Sequence, residues 1–193
     1  MKRLILILIL TFSFQTLAKA DDIRDFEIEG MSIGDSLLDY FSKEQINLSI
    51  NKNSYKDSDR KFTALYTGDI KDHEVYDYMR VHILTKDKKF KIYGISGMID
   101  YKKKDIQKCY SLQKNIEKEF DKTFSSYDKW QDKFKSMYDK TGKSFITSIY
   151  YETNLGIAKI SCYDFSSHVK YPSGIDVTIN TKEFSDWLIS IRK

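Results

Sequence analysis

The sequence predicts an α+β fold, an antiparallel β-sheet with amphipathic helices packed on one face. Alternating apolar and polar residues mark strands, as at residues 78–84 and 175–179. Apolar residues at helical spacing mark a long helix near residues 104–124. Short polar turns separate consecutive strands, which favours an antiparallel sheet because parallel strands need long crossovers. A helix followed by strands occurs twice, so a helix-plus-strands duplication is a further hypothesis.

The first half of the chain is predicted to hold one helix and four strands. The helix covers residues 35–46, where Leu37, Leu38 and Phe41 share one face and short polar residues precede the start. Residues 47–61 are polar and predict a loop. The strands are expected at residues 26–30, 62–67, 78–84 and 90–101, and the last two form a hairpin.

The second half is predicted to hold a long helix, a short helix, three strands and a terminal helix. The short helix rests on the helical spacing of Trp130, Phe134, Met137 and Tyr138, with Gly142 ending it. The remaining elements are the long helix at residues 104–124, strands at 145–152, 157–165 and 175–179, and an amphipathic helix with Phe184, Trp187, Leu188 and Ile191 on one stripe.

Residues 1–20 have the pattern of a secretory signal peptide. Lys2 and Arg3 precede an uninterrupted run of Leu and Ile, and Ala18 and Ala20 offer the small side chains that a signal peptidase requires. The apolar run is shorter than the ~20 residues that a membrane span needs. We therefore expect export and cleavage, with an uncleaved anchor as the alternative.

The mature chain is expected to be a single periplasmic or secreted domain over residues 21–193, with no membrane span. The precursor has 32 Lys and Arg residues against 28 Asp and Glu. Lys2, Arg3 and Lys19 leave with the signal peptide, so the mature balance is close to neutral. Since nucleic-acid binding needs a basic face, this balance argues against a nucleic-acid partner.

The two cysteines, Cys109 and Cys162, predict one disulfide in an exported protein. Cys109 lies on the apolar side of the helix predicted at residues 104–124, and Cys162 alternates with Ala158 and Ile160 on one strand face. Closing so long a loop would contribute ~4 kcal/mol in the chain-entropy model. Two buried free thiols are the alternative. Two cysteines and three scattered histidines predict no metal site, and no cofactor is expected.

Residues 34–37 spell Gly-Asp-Ser-Leu, which resembles the signature of GDSL-type ester hydrolases. The resemblance implies Ser36 as a nucleophile on a strand-to-helix turn. The family's Gly-x-Asn-Asp block is absent, and Asp164 and His168 are spaced Asp-x-x-x-His where the family has Asp-x-x-His. A helix start explains the same residues, since short polar side chains satisfy free amides there. The surroundings of Ser36 discriminate between the two.

Residues 139–142 spell Asp-Lys-Thr-Gly, which resembles the phosphorylated motif of cation-pumping ATPases. Those enzymes are large membrane proteins that use cytosolic ATP, whereas this chain is small and predicted to be exported. We therefore interpret the motif as a polar turn.

Three stretches, residues 26–38, 161–165 and 180–184, together resemble a set of functionally uncharacterised short secreted proteins from marine alphaproteobacteria with low-GC genomes. The resemblance covers nearly the whole mature chain. It implies a periplasmic location and no activity. The Gly-Met pair at residues 30–31 is also similar to small outer-membrane assembly lipoproteins, although no cysteine lies near the cleavage site to carry a lipid.

These observations favour a non-enzymatic binding domain for a periplasmic protein or an envelope component. The outer sheet face is the expected binding face, around Arg80, His82, Tyr93 and Tyr150. A serine ester hydrolase using Ser36 is one alternative. An envelope-assembly or inhibitor-like interaction protein is another.

The export and disulfide predictions are tested together by the intact mass of protein purified from its native compartment, with and without a thiol-alkylating reagent. We expect a chain that starts at Asp21 and takes up no reagent before reduction. A mass that retains the signal residues would favour the anchor, and two alkylated thiols would exclude the disulfide.

Overall fold

The computed structural model of the protein describes residues 23–51, 54–55, 59–68 and 73–191. The predicted signal peptide lies outside the described residues. Within them, no helix is both long enough and apolar enough to cross a membrane.

One antiparallel sheet of eight strands organises the described chain. The strands are β1 (Ile50–Asn51), β2 (Phe62–Tyr66), β3 (Tyr78–Leu84), β4 (Ile92–Tyr101), β5 (Asp128–Lys135), β6 (Phe145–Thr153), β7 (Gly156–Asp164) and β8 (Ser173–Thr181). Their order across the sheet is β1-β2-β3-β4-β8-β7-β6-β5. The predicted α+β class and the hairpin of β3 and β4 are confirmed.

The α-helices are α1 (Lys43–Ser49), α2 (Ile106–Thr123) and α3 (Lys182–Ser190). Each half of the described chain contains a helix followed by four strands, and the last strands of the halves, β4 and β8, pair in the middle of the sheet. The order of elements therefore repeats, while a duplication of sequence stays a prediction.

Strand alternation divides the sheet into two faces of different character. The first face contributes apolar side chains to the main core, among them Val81, Ile95, Val177 and Ile160. The second face carries the intervening side chains. These include the half-buried Arg80 and the buried Ser96 and Thr178.

The helices lie on both faces of the sheet, so the prediction that they pack on one face is wrong for α3. Ile46 of α1 and Phe120 of α2 belong to the core of the first face. Phe184 of α3 lies on the second face, where its ring stacks on His82 with 4.4 Å between centroids.

Gly94 explains why α3 fits against the second face. A Cβ atom at this position would lie only 2.8 Å from a ring carbon of Phe184, so the missing side chain makes room for the helix. Phe62 and Trp187 complete a second, smaller apolar cluster there. Since α1 and α2 already cover the first face, the apolar stripe of α3 is buried on the opposite one.

The predicted disulfide is confirmed between Cys109 of α2 and Cys162 of β7, with Cα atoms 6.0 Å apart. Both residues are fully buried. The bond fixes the long helix to the first face of the sheet.

The first predicted helix is divided in two. A 3-10 turn spans Leu37–Asp39, and α1 starts only after Ser42. The Ser42 side chain accepts a hydrogen bond from the Gln45 N–H while the Gln45 side chain accepts one from the Ser42 N–H. This reciprocal pair starts a new helix, which the single apolar stripe did not reveal. The strand expected at residues 26–30 is reduced to one bridge between Ile28 and Met31.

The short helix predicted near residues 130–138 is wrong, because residues 128–135 form the strand β5. Trp130 and Phe134 are four residues apart, and this spacing puts side chains on one side of a strand as well as of a helix. Their cross-strand partners in β6 are Tyr150 and Ile146.

The position of α3 predicts unequal effects of two truncations in that helix. Phe184→Ala should lower the free energy of unfolding by about 3 kcal/mol, because a buried ring is lost from a packed cluster. Ile189→Ala is the matched control, since this residue is 55% exposed, and should change stability by less than about 0.5 kcal/mol. Urea unfolding measures both. Equal effects would contradict the docking of α3.

Candidate functional site

A single row of side chains crosses the second face from β2 to β5. It consists of seven consecutive cross-strand partners, Tyr66, Arg80, Ser96, Thr178, Lys159, Tyr150 and Trp130. We call it the cross-sheet row. Because neighbouring strands are about 4.8 Å apart, the row is ~29 Å long. Arg80 and Tyr150 of the predicted binding face both belong to it.

The cross-sheet row has aromatic residues at both ends. Tyr66 is 38% exposed at one end and Trp130 is 40% exposed at the other. Trp130 stacks on Tyr150 with 4.9 Å between ring centroids and only 7° between ring planes. Exposed, ordered aromatic rings are typical of binding surfaces, where they bury much area at little entropic cost.

Arg80 has only one hydrogen-bond partner in the described part of the chain. Its Nη2 lies 3.4 Å from Asp176 Oδ2, longer than usual for a charged pair. The side chain of Arg80 is 32% exposed, whereas that of Asp176 is only 2% exposed. The buried Arg80 Nε has no hydrogen-bond partner there. Because Nε is buried, the donors that Arg80 offers to a ligand are those of the terminal guanidinium nitrogens on its partly exposed side chain.

At neutral pH Arg80 is charged, and the neighbouring Tyr78 and Tyr163 are neutral. Burial lowers the pKa of Arg80, but Asp176 and the neighbouring tyrosines together raise it by more, so the net shift is upward. Burial, followed by the charge of Asp100, raises the pKa of Tyr78 to about 12. Burial and then Asp176 raise the pKa of Tyr163. Arg80 is therefore a permanent cation beside neutral phenols.

Buried hydroxyl groups form the floor beneath the charged side chains. Thr178 donates to Asp176, and its oxygen lies 2.9 Å from Ser96 Oγ. Ser148 and Ser161 are joined by a hydrogen bond of 2.7 Å. Because these groups satisfy each other, they hold the floor in one arrangement.

The predicted binding face is divided, because α3 covers part of it. His82 was expected on the surface, but it is buried beneath Phe184, and its Nδ1 is 3.1 Å from the Tyr55 hydroxyl. Burial, then the charges of Arg80 and Lys159, lowers the pKa of His82 well below its ordinary value. It is therefore neutral and packed in the interior.

Tyr93 is also separated from the cross-sheet row. It is half-buried, and its ring packs edge-on against Phe62 with 5.3 Å between centroids. Tyr93 thus lies with the small apolar cluster under α3, at a different end of the face from Tyr150.

Ser36 has the hydrogen bonds of a helix cap. Its Oγ donates to the Lys89 carbonyl at 2.7 Å and accepts from the Leu38 N–H at 3.2 Å. Neither of these bonds involves a histidine. A serine needs a neighbouring base to act as a nucleophile, and the hydrogen bonds of Ser36 provide none.

Asp139 organises the turn at residues 139–142. Its carboxylate accepts hydrogen bonds from the hydroxyls of Thr141, Ser144 and Ser166, and from the Thr141 N–H. The hydroxyls of Ser144 and Thr141 contribute most to holding the pKa of Asp139 below its ordinary value. The carboxylate thus connects this turn to the loop at residue 166.

No group of three or more His, Cys, Asp or Glu side chains in the described residues is arranged to hold a metal ion. Comparison with protein-family models gave no match. Comparisons with curated proteins and with solved structures also gave no significant match. The interpretation of the site therefore depends on its geometry.

Sequence reasoning missed six residues of the site, which are Tyr66, Ser96, Thr178, Lys159, Trp130 and Asp176. All of them except Trp130 alternate with core residues on their strands, which is the available signal, whereas β5 is exposed along its whole length. That alternation gives the face of a residue but not its neighbours, because the register between strands decides which residues meet.

The hydrogen bonds of Asp139 predict that the stability of the turn at residues 139–142 depends on pH. Asp139→Asn should lower the melting temperature at neutral pH, because the charged acceptor of the turn is lost. The native pKa is depressed, so the stabilisation is present above the ordinary Asp pKa of ~3.9 and is lost as the pH falls below it. The difference in melting temperature should therefore narrow in acid.

The matched control is Asp132→Asn, an exposed residue of β5. The melting temperatures of the unmodified protein and of both variants are measured by circular dichroism at a series of pH values from neutral to acid. A difference for Asp139→Asn that stays constant with pH would show that the carboxylate charge does not support the turn.

Proposed function

We propose that the chain is an exported, non-enzymatic binding domain that holds an elongated acidic polysaccharide of the cell envelope along the cross-sheet row. The observation that carries the proposal is Arg80, a half-buried cation with unused donors in a row that ends in exposed aromatic residues.

The charges of the row favour an anionic ligand. Arg80 and Lys159 are its charged members, both are cationic, and the row itself contains no acid. The contact between Arg80 and Asp176 is long, so a ligand carboxylate can approach the remaining guanidinium donors. Charge-assisted hydrogen bonds of this kind are stronger than neutral ones.

The aromatic ends of the row favour a sugar polymer over a small anion. Sugar rings present C–H faces that pack on aromatic rings, and Tyr66 and Trp130 are exposed near opposite ends of a ~29 Å row. A single small anion would contact Arg80 alone. A polymer with regularly spaced carboxylates contacts both cations and both aromatic ends.

The disulfide supports a location outside the cytoplasm. Cytosolic thiols are kept reduced, whereas a structural bond such as Cys109–Cys162 persists in an oxidising compartment. Together with the predicted signal peptide, it is the basis for proposing a periplasmic or secreted protein. No observation in the described residues favours an ester hydrolase at Ser36.

Binding of polygalacturonate, measured by isothermal titration calorimetry on the mature protein, tests this proposal. Arg80→Gln and Lys159→Gln should each weaken binding at least about tenfold, or ~1.4 kcal/mol, because each removes a cation from the row. Asp176→Asn should strengthen binding, because it removes the carboxylate that competes for Arg80. Neutral dextran should bind weakly to every variant.

Lys118→Gln is the matched control, since Lys118 is an exposed lysine on α2 at the other side of the sheet. It should leave binding unchanged. Circular dichroism confirms folding, and Lys159→Gln keeps the Arg80–Asp176 pair intact if Arg80→Gln is unstable. Equal affinity of all variants, or equal binding of dextran and polygalacturonate by the unmodified protein, would falsify the proposal.

A further inference from the structure

We infer that the outer edge of β5 is a docking site for an extended acidic segment of a partner protein, which adds to the sheet as a further strand. This surface is distinct from the cross-sheet row, although Trp130 belongs to both. The inference does not depend on a polysaccharide ligand.

The two edges of the sheet differ in length. At one edge β1 has only two residues, Ile50–Asn51. At the other, β5 spans Asp128–Lys135, pairs only with β6 among the described residues, and is exposed along its whole length. An edge strand of this length presents a row of backbone donors and acceptors to which an extended peptide can pair.

The side chains on the first-face side of β5 are mostly basic. Three of the four are lysines, Lys129, Lys133 and Lys135, and the fourth is the neutral Gln131. Lys129 is paired with Glu117 and Asp121 at 2.7 and 2.6 Å. Lys133 lies 4.9 Å over the ring of Phe145. No carboxylate of the described residues forms an ion pair with Lys133 or Lys135.

The side chains on the second-face side of β5 include two exposed aromatic residues. Trp130 and Phe134 are each 40% exposed, and Met137, just beyond the strand, is 84% exposed. Exposed Trp, Phe and Met side chains beside an open edge are suitable anchors for a partner. A strand paired with β5 would cover Trp130 and Phe134 with its own side chains.

The charge pattern disfavours a second copy of this chain as the occupant. In an antiparallel pair, residues directly opposite each other lie on the same face. Two copies related by a two-fold axis pair residues that are an even number of positions apart, and every such register that pairs more than half of β5 puts two lysines, or Asp128 and Asp132, opposite each other. Like charges in that position are destabilising.

Charge complementarity therefore favours a partner strand in which acidic and apolar residues alternate. Acidic residues at alternate positions would face Lys133 and Lys135, and apolar residues between them would face Trp130 and Phe134. Lysines also protect exposed edges from unspecific pairing. This protective role is compatible with selective binding of an acidic strand. The lysines repel basic or identical strands and admit an acidic one.

The test uses a synthetic seven-residue peptide that alternates glutamate with valine, titrated into the ¹⁵N-labelled mature protein. We expect the largest amide shifts in residues 128–135, and affinity that falls with added salt. A peptide alternating lysine with valine should bind at least about tenfold more weakly. The glutamate peptide with alternate backbone amides methylated should also lose binding, because it cannot pair with the edge.

Lys133→Glu with Lys135→Glu should reverse the preference between the two peptides. Lys114→Glu with Lys118→Glu, which changes the charge equally on α2, is the matched control and should not. Amide shifts located elsewhere, or equal binding of both peptides, would overturn the inference. So would a concentration-dependent dimer in sedimentation experiments that involves β5, because a second copy would then occupy the edge. Loss of polygalacturonate binding alone would concern only the cross-sheet row.

Discussion

The pairing of β4 with β8 holds together the two halves of the described chain. Each half is a helix followed by four strands, and only this central ladder, from Gly94 opposite Asn180 to Tyr101 opposite Ser173, joins their strands into one sheet. The main core crosses the same junction, as Ile95 and Ile179 show. The cross-sheet row crosses it through Ser96 and Thr178, so the candidate site exists only when both halves are paired.

The two faces are stabilised by different means. On the first face, apolar burial under α1 and α2 is reinforced by the Cys109–Cys162 bond. On the second face, α3 covers only one part, and the remainder relies on hydrogen-bonded hydroxyls and the Arg80–Asp176 pair. Polar groups are retained at low exposure on this face because each hydroxyl of the floor has a partner.

Arg80 and His82 lie in different environments because α3 covers only one of them. They lie two residues apart on the same side of β3, so the sequence predicts the same environment for both. Phe184 of α3 stacks over His82, which becomes buried and neutral, whereas Arg80 lies one row away and remains half-buried and charged. Trp130, similarly, ends the row while belonging to the open edge of β5, so the two proposed surfaces meet at one residue.

The sequence alone determined the α+β class, most strands, the long helix and the disulfide. These follow from local periodicity and from two cysteines that both lie on apolar faces. Tertiary structure decided that residues 128–135 form a strand, because i and i+4 share a side in both strand and helix. It also decided that α3 lies on the second face, where Gly94 makes room for Phe184. Above all, it decided which polar residues meet, because register joins residues far apart in the chain and leaves no trace in local pattern.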